Sequence, residues 1–171
     1  CRFVIDNKKV YGYPLKPFLF MITNIDINIF DCDAHGIIHQ ANCQNTMQSG
    51  IARQIREKYP EAYEADCKTV AGDIKKLGTF SWVKTHDDKY IYNCYSQFRY
   101  GKEQRHTNYE AIYTGLSSIK DHASSIELTS LSLPYNMGCA LGGGSWNIVR
   151  AIIQDVFYDS DINLFICKYN P

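Results

Sequence analysis

What most constrains this chain is an alternation of short apolar runs with segments whose apolar residues recur at helical spacing. Parallel strands cannot be joined by a hairpin and need a long crossover, usually a helix. Residues 18–29 (FLFMITNIDINI) are rich in β-branched and aromatic side chains and read as a strand. Residues 36–41 (GIIHQA) form a shorter run of the buried-strand type. After a polar segment, Ile51, Ile55 and Tyr59 recur at helical spacing, and Pro60 is expected to end that helix. A second helix is expected over residues 61–70, then strands over 78–84 and 89–97 around a turn at 85–88. Thr107-Asn108-Tyr109-Glu110 fits a capping box with Thr107 as N-cap. The helix it opens carries Tyr109, Ile112, Tyr113, Leu116 and Ile119 on one apolar face. Residues 127–133 read as a strand, the next helix carries Trp146, Val149, Ile153, Val156 and Phe157 on one side, and residues 162–169 close as a strand. The order predicts an α/β fold, a three-layer α/β/α sandwich around a mixed, mostly parallel sheet.

The length, 171 residues, suits one domain. Residues 1–20 read as an N-terminal extension with a small hairpin, and the domain proper spans 21–171. The formal net charge is zero, which argues against wholesale binding to nucleic acid or an acidic membrane. Arg99, Lys102, Arg105 and His106 still form a local basic segment, either a solvated loop or a place to meet phosphate. The seven cysteines are odd in number and scattered, with no metal-ligand spacing, so reduced thiols in a cytoplasm are expected, with no metal and no cofactor. No apolar run approaches the roughly 20 residues of a membrane span.

In open α/β sheets, ligands bind beyond the carboxyl ends of strands, where loops enter helices. Two segments have that character: residues 42–50 (NCQNTMQSG) and residues 134–145 (PYNMGCALGGGS). Each leads to a helix N-terminus, whose free N–H groups attract anions. Gly138, Gly142, Gly143 and Gly144 allow backbone to approach a diphosphate closely, or they serve only a tight strand-to-helix connection. No Walker A, GxGxxG or GxSxG pattern is present.

The two loops resemble those of the macro domain family. The likeness is to its small stand-alone branch, which includes ADP-ribose-1''-phosphate-processing proteins and bacteriophage homologues. Residues 24–27 (NIDI) are similar to the family's strand-end Gly-Asp-Ile. Residues 39–52 (HQANCQNTMQSGIA) resemble the first loop, H-x-x-N-C-x-G-x-M-G-x-G-I-A. Residues 93–101 (NCYSQFRYG) and 107–110 (TNYE) resemble N-L-x-x-Q-x-R-Y-G and T-x-Y-E. Residues 133–146 (LPYNMGCALGGGSW) resemble the second loop, P-Y-x-I-G-C-G-L-x-G-G-D-W.

The resemblance implies a site for ADP-ribose or an ADP-ribosylated target. Asp26 would accept from the adenine amino group, helped by the Ile27 backbone, or be a plain surface residue. Asn42, Cys43, Gln44 and Gln97 would lie near the distal ribose. Gln48 would sit beside the ribose pocket, and Ser49, Gly50, Ile51 and Ala52 would offer amides to phosphate and ribose. Pro134, Gly138, Cys139, Ala140, Leu141, Gly142, Gly143, Gly144 and Ser145 would wrap the diphosphate. Tyr135 and Trp146 would pack near the ligand or in the core.

Departures from the pattern bear on function. Asn45, Gln48 and Ala140 stand at family glycines, and Ser145 stands at the aspartate of G-G-D-W. Gln97 and Gly142 stand where a deADP-ribosylating branch carries lysine and aspartate, so that mechanism is not open here. Asn42, Gln97 and Ser145 remain as candidate catalytic groups, while His39 and Cys139 read more readily as core residues. Three functions stay open. The chain processes ADP-ribose 1''-phosphate or a relative, or it reads or sequesters such a nucleotide without chemistry, or it is an interaction domain with a degenerate pocket.

Overall fold

The computed structural model describes residues 22–169, and the hairpin expected in residues 1–20 lies outside them. Six strands form one sheet: β1 Ile22–Ile25, β2 Gly36–Asn42, β3 Phe80–Lys84, β4 Tyr90–Gln97, β5 Ser130–Pro134 and β6 Asn163–Cys167. Four helices connect them: α1 Gly50–Lys58, α2 Pro60–Cys67, α3 Tyr109–Ser125 and α4 Trp146–Phe157. The strand order is β1-β6-β5-β2-β4-β3. All neighbours run parallel except the β3–β4 hairpin, so the sheet is mixed and mostly parallel.

β2 lies in the interior of the sheet and is buried on both faces, which is why its sequence is apolar without alternation. Ile38 points into a core shared with Leu116 of α3, Val149 and Ile153 of α4, and Leu133 of β5. Ile37 points the opposite way, against Ile55 of α1, Tyr59 between the two helices and Ala62 of α2. Helices therefore cover both faces, giving the three layers. Each fully buried Ile or Leu contributes about 1.5–3 kcal/mol, and these positions come from every layer.

Several local readings need correction. Pro60 does not merely end α1: it opens α2, with its missing N–H at a position where no intrahelical bond is due. Thr107 is not the cap of α3. Asn108 is, its Oδ1 accepting from Ala111 N at 2.9 Å. Tyr113 is 45% exposed, and Ala111, Gly115 and Ala123 complete the buried face instead. The segment at 127 turns through a positive φ of 61° at Glu127, so β5 starts only at Ser130.

Among the described residues, no helix is long and apolar enough to cross a membrane. The six described cysteines are all unpaired.

Candidate ligand-binding cleft

Because β2, β4 and β5 run parallel, their carboxyl ends open at one edge of the sheet. A cleft of about 550 Å³ lies there. The segment after β2 lines it through Asn42, Thr46, Gln48 and Ser49, and α1 continues with Gly50, Ile51 and Ala52. The segment after β5 faces it with Pro134, Tyr135, Gly138, Ala140, Leu141 and Gly142. Gln97 and Lys102 come from the end of β4 and the loop beyond. The two Gly- and Asn-rich loops thus share one cleft.

A bulge shapes its floor. Ala41 pairs with Tyr95 but Asn42 pairs with Gln97, so Ser96 is an extra residue in β4. Such a bulge bends the strand and re-aims its side chains, and here Asn42 and Gln97 both line the cleft.

The first loop is held by its side chains. Asn42 Oδ1 accepts from Gln44 N at 2.9 Å, and Asn42 Nδ2 donates to Thr46 Oγ1 at 2.8 Å. Gln44 Nε2 donates to Phe98 O at 2.9 Å. Asn45 and Met47 adopt positive φ, 55° and 38°, while Gln48 does not. The glycine pattern expected at 48 is therefore not a backbone requirement here. Gln48 is exposed and lines the cleft.

At the start of α1, Ser49 makes no side-chain cap. The first intrahelical bond runs from Arg53 N to Ser49 O at 3.2 Å, which leaves the amides of Gly50, Ile51 and Ala52, all cleft-lining residues, without an acceptor among the described residues.

The second loop closes on Thr107. Thr107 Oγ1 donates to Gly138 O at 2.6 Å and accepts from Gln40 Nε2 at 3.1 Å. Gly144 N donates to the same Gly138 carbonyl at 2.9 Å, and Gly142 O accepts from the amides of His106 and Thr107. The amides of Gly138, Ala140, Leu141 and Gly142 have no intramolecular acceptor among the described residues. A Cβ at Gly142 would lie 2.7 Å from Gly138 O and 2.8 Å from Gln40 Oε1, so no side chain fits there. Its glycine serves loop closure as well as ligand approach.

Other sequence-derived candidates lie outside the lining. Cys43 is buried, its N–H bonded to Gln97 O at 3.1 Å and its thiol pushed up to about 11 by burial. Cys139 donates to Met137 O at 3.4 Å, and burial raises its thiol too, so neither offers a thiolate. Gly143, Gly144 and Ser145 are not among the lining residues; exposed Ser145 donates its N–H to Tyr109 Oη at 2.8 Å, and its carbonyl accepts from the amides of Ile148 and Val149. Trp146 packs edge-on against Tyr135, ring centres 4.8 Å apart. His39 is fully buried with Nε2 2.6 Å from Asn93 Oδ1 and Nδ1 3.0 Å from Gln40 O, and burial lowers its pKa. It is a core residue.

Asp26 and Ile27 follow β1 and do not line this cleft. A second cleft of about 430 Å³ adjoins it through Ile51, Pro134, Tyr135 and Asn136. Asn28, Gln54 and Lys168 also line it, and exposed Asp26 stands two residues before Asn28.

Lining residues not singled out by sequence include Gln40, Thr46, Tyr100, Asn136 and Met137. Each lies within a segment that carries the family resemblance, and Lys102 belongs to the basic segment. Among the described residues, no carboxylate and no imidazole lines the main cleft, and Lys102 forms no ion pair.

Residues 38–153 match the family described as Macro domain. The chain belongs to the macro domain family. Similar sequences include an uncharacterized 17.5 kDa protein of Enterobacteria phage T4, 28% identical over 151 residues, covering 85% of this chain and 94% of that protein. The Bos taurus protein named ADP-ribose glycohydrolase OARD1 is 28% identical, with 85% and 90% of the two chains covered. Among solved structures, the macrodomain of Mycobacterium tuberculosis DarG superposes with a TM-score of 0.73 at 23% identity, over 88% of this chain and 98% of that one. Thermosipho africanus DarTG in complex with ADP-ribose gives a TM-score of 0.69 at 20% identity, over 82% of this chain and 39% of that one.

Proposed function

We propose that this macro domain binds ADP-ribose, free or attached to a target, as a reader or sequestering protein. The observation that carries this reading is one cleft bordered by two sets of amides without an acceptor among the described residues, those of Gly50, Ile51 and Ala52 on one side and of Gly138, Ala140, Leu141 and Gly142 on the other. A diphosphate between them would accept hydrogen bonds from both walls and face the positive end of the α1 dipole. The adjoining second cleft then takes the adenosine end, with Asp26 beside it, and Asn42 and Gln97 face the distal ribose. The names of similar proteins, an ADP-ribose glycohydrolase and a DarTG in complex with ADP-ribose, support the ligand class.

A binding role is preferred to catalysis because the cleft holds no carboxylate or imidazole to act as general base. Titration calorimetry with ADP-ribose, ADP and AMP tests the ligand. Heat with ADP-ribose, weaker heat with ADP and least with AMP is expected, and no heat with any of the three removes the nucleotide reading.

A second reading, slow hydrolysis, is favoured by the 28% identity to a protein named as a glycohydrolase. Release of phosphate from ADP-ribose 1''-phosphate, or of ADP-ribose from a modified protein, abolished in Asn42→Ala, would establish it.

A further inference from the structure

Behind the first loop lies a polar cluster outside the cleft lining. Lys76 closes a 3-10 turn, Ile74–Lys76, in the connection between α2 and β3, and it is only 7% exposed. Its ammonium stands 3.3 Å from Asp66 Oδ1 and 4.2 Å from the centre of the Tyr95 ring. Asp66, in the last turn of α2, is fully buried, and Tyr95 Oη donates to the same carboxylate oxygen at 2.8 Å. Lys76 also donates to Asn45 Oδ1, in the loop that borders the cleft. Asn45 Nδ2 donates to Thr69 O at 2.9 Å. Both ends of the Asn45 amide are therefore gripped by the α2–β3 connection. A backbone bond from Gly72 N to Cys43 O at 2.7 Å ties the same two segments.

Asn45 stands at φ +55°. A side chain in the left-handed region carries strain that its surroundings must offset, although Asn tolerates it better than most residues. A buried ion pair adds little net stability compared with apolar side chains of equal volume. Here the second carboxylate oxygen of Asp66 has no hydrogen-bond partner among the described residues, which weakens any stability account further. What the pair supplies is a fixed cationic donor at Asn45, the first of the loop's positive-φ positions.

We propose that Asp66 and Lys76 are positioning residues for the ligand loop. Asp66 fixes the ammonium, the ammonium fixes the Asn45 amide, and the held turn sets where Thr46 to Gly50 border the cleft. The idea rests on the reading of that cleft as an ADP-ribose site, yet its structural half can be tested without ligand.

The variant Asp66→Asn/Lys76→Met, made in the full chain, removes both charges without leaving one buried alone. It should keep a cooperative thermal transition, while amides of residues 43–50 exchange with D₂O about tenfold faster and those of β2 are unchanged. Calorimetry should show its ADP-ribose affinity reduced about tenfold. Adding Asn45→Gly, which takes positive φ without a side-chain hold, should recover most of that affinity. Should the double variant not fold, Asn45→Ala cuts the tie from the loop side and should give the same local speeding of exchange. Wild-type exchange in residues 43–50 would overturn the proposal, and so would an affinity loss that Asn45→Gly leaves untouched. A wild-type protein that does not bind ADP-ribose would sink the functional reading alone, since the exchange experiment still decides the positioning.

Discussion

The two walls of the cleft border the same space but are built in opposite ways. The wall after β2 is held through side chains: Asn42 bonds along the loop, Gln44 reaches across to Phe98 O, and Asn45 is tied to a buried lysine. It turns through positive φ at Asn45 and Met47 without glycine at either place. The wall after β5 is held through its backbone, with the Gly138 and Gly142 carbonyls closing on Thr107. There the space beside Gly142 is already filled by a carbonyl oxygen and a side chain. One wall should tolerate a Cβ and suffer from lost polar partners, whereas the other should do the reverse at its glycine.

The severest test of this contrast is Gly142→Ala. The added methyl meets a backbone carbonyl that cannot move freely, and we expect a loss of about 3 kcal/mol in urea denaturation. A loss under about 1 kcal/mol would mean the second wall is as adaptable as the first. Thr107→Val keeps the shape but removes the hydroxyl, leaving Gly138 O and Gln40 Nε2 short of a partner; about 2 kcal/mol should be lost in the same measurement. An unchanged midpoint would show that the loop closes without its bolt. Asp26→Ala touches neither wall. If both walls grip the diphosphate and the base lies beyond them, ADP-ribose should bind about 1.5 kcal/mol more weakly by calorimetry, with stability intact. Equal affinity would place the adenine elsewhere. The smallest effect is expected from Gln48→Gly. This exposed side chain loses rotamer freedom beside a bound ribose, so its removal should tighten binding by about 0.5 kcal/mol. Weaker binding would instead make Gln48 a ligand contact.

Much of this architecture was legible because the signals are local. Strand runs such as 36–41 and the apolar spacing of Val149, Ile153 and Val156 depend on neighbours in sequence, and the structure follows them. The convergence of the two loops was legible too, since parallel strands place their carboxyl ends together. Thr107 shows where that legibility stops. Thr-x-x-Glu has the spacing of a capping box, but the hydroxyl is claimed by Gly138, 31 residues away, and Asn108 caps the helix instead. Pro60 marked the break between α1 and α2 as expected, and it also begins the second helix, because a residue that cannot continue one helix can open the next. Lys76 and Asp66 carried no signal at all. A lysine in a short polar connection reads as solvated, and only the packing of Tyr95 and Asn45 around it makes it internal. The motif set Ser145 at the diphosphate and left Trp146 open between ligand and core; in the fold Ser145 is the N-cap position of α4, outside the cleft lining, and Trp146 packs against the core.

The extra residue in β4 opposite the Ala41–Asn42 step decides which kinds of change the chain can absorb. Exchanging Ser96 for another small residue leaves the count between Cys94 and Gln97 untouched. Deleting one residue there would flip every later side chain of the strand to the other face, turning Gln97 away from Asn42 and dragging the 98–106 segment out of step with it. Spacing is thus as much an inherited trait of this pocket as chemistry: a protein engineer may swap letters along that strand more safely than shorten it by one.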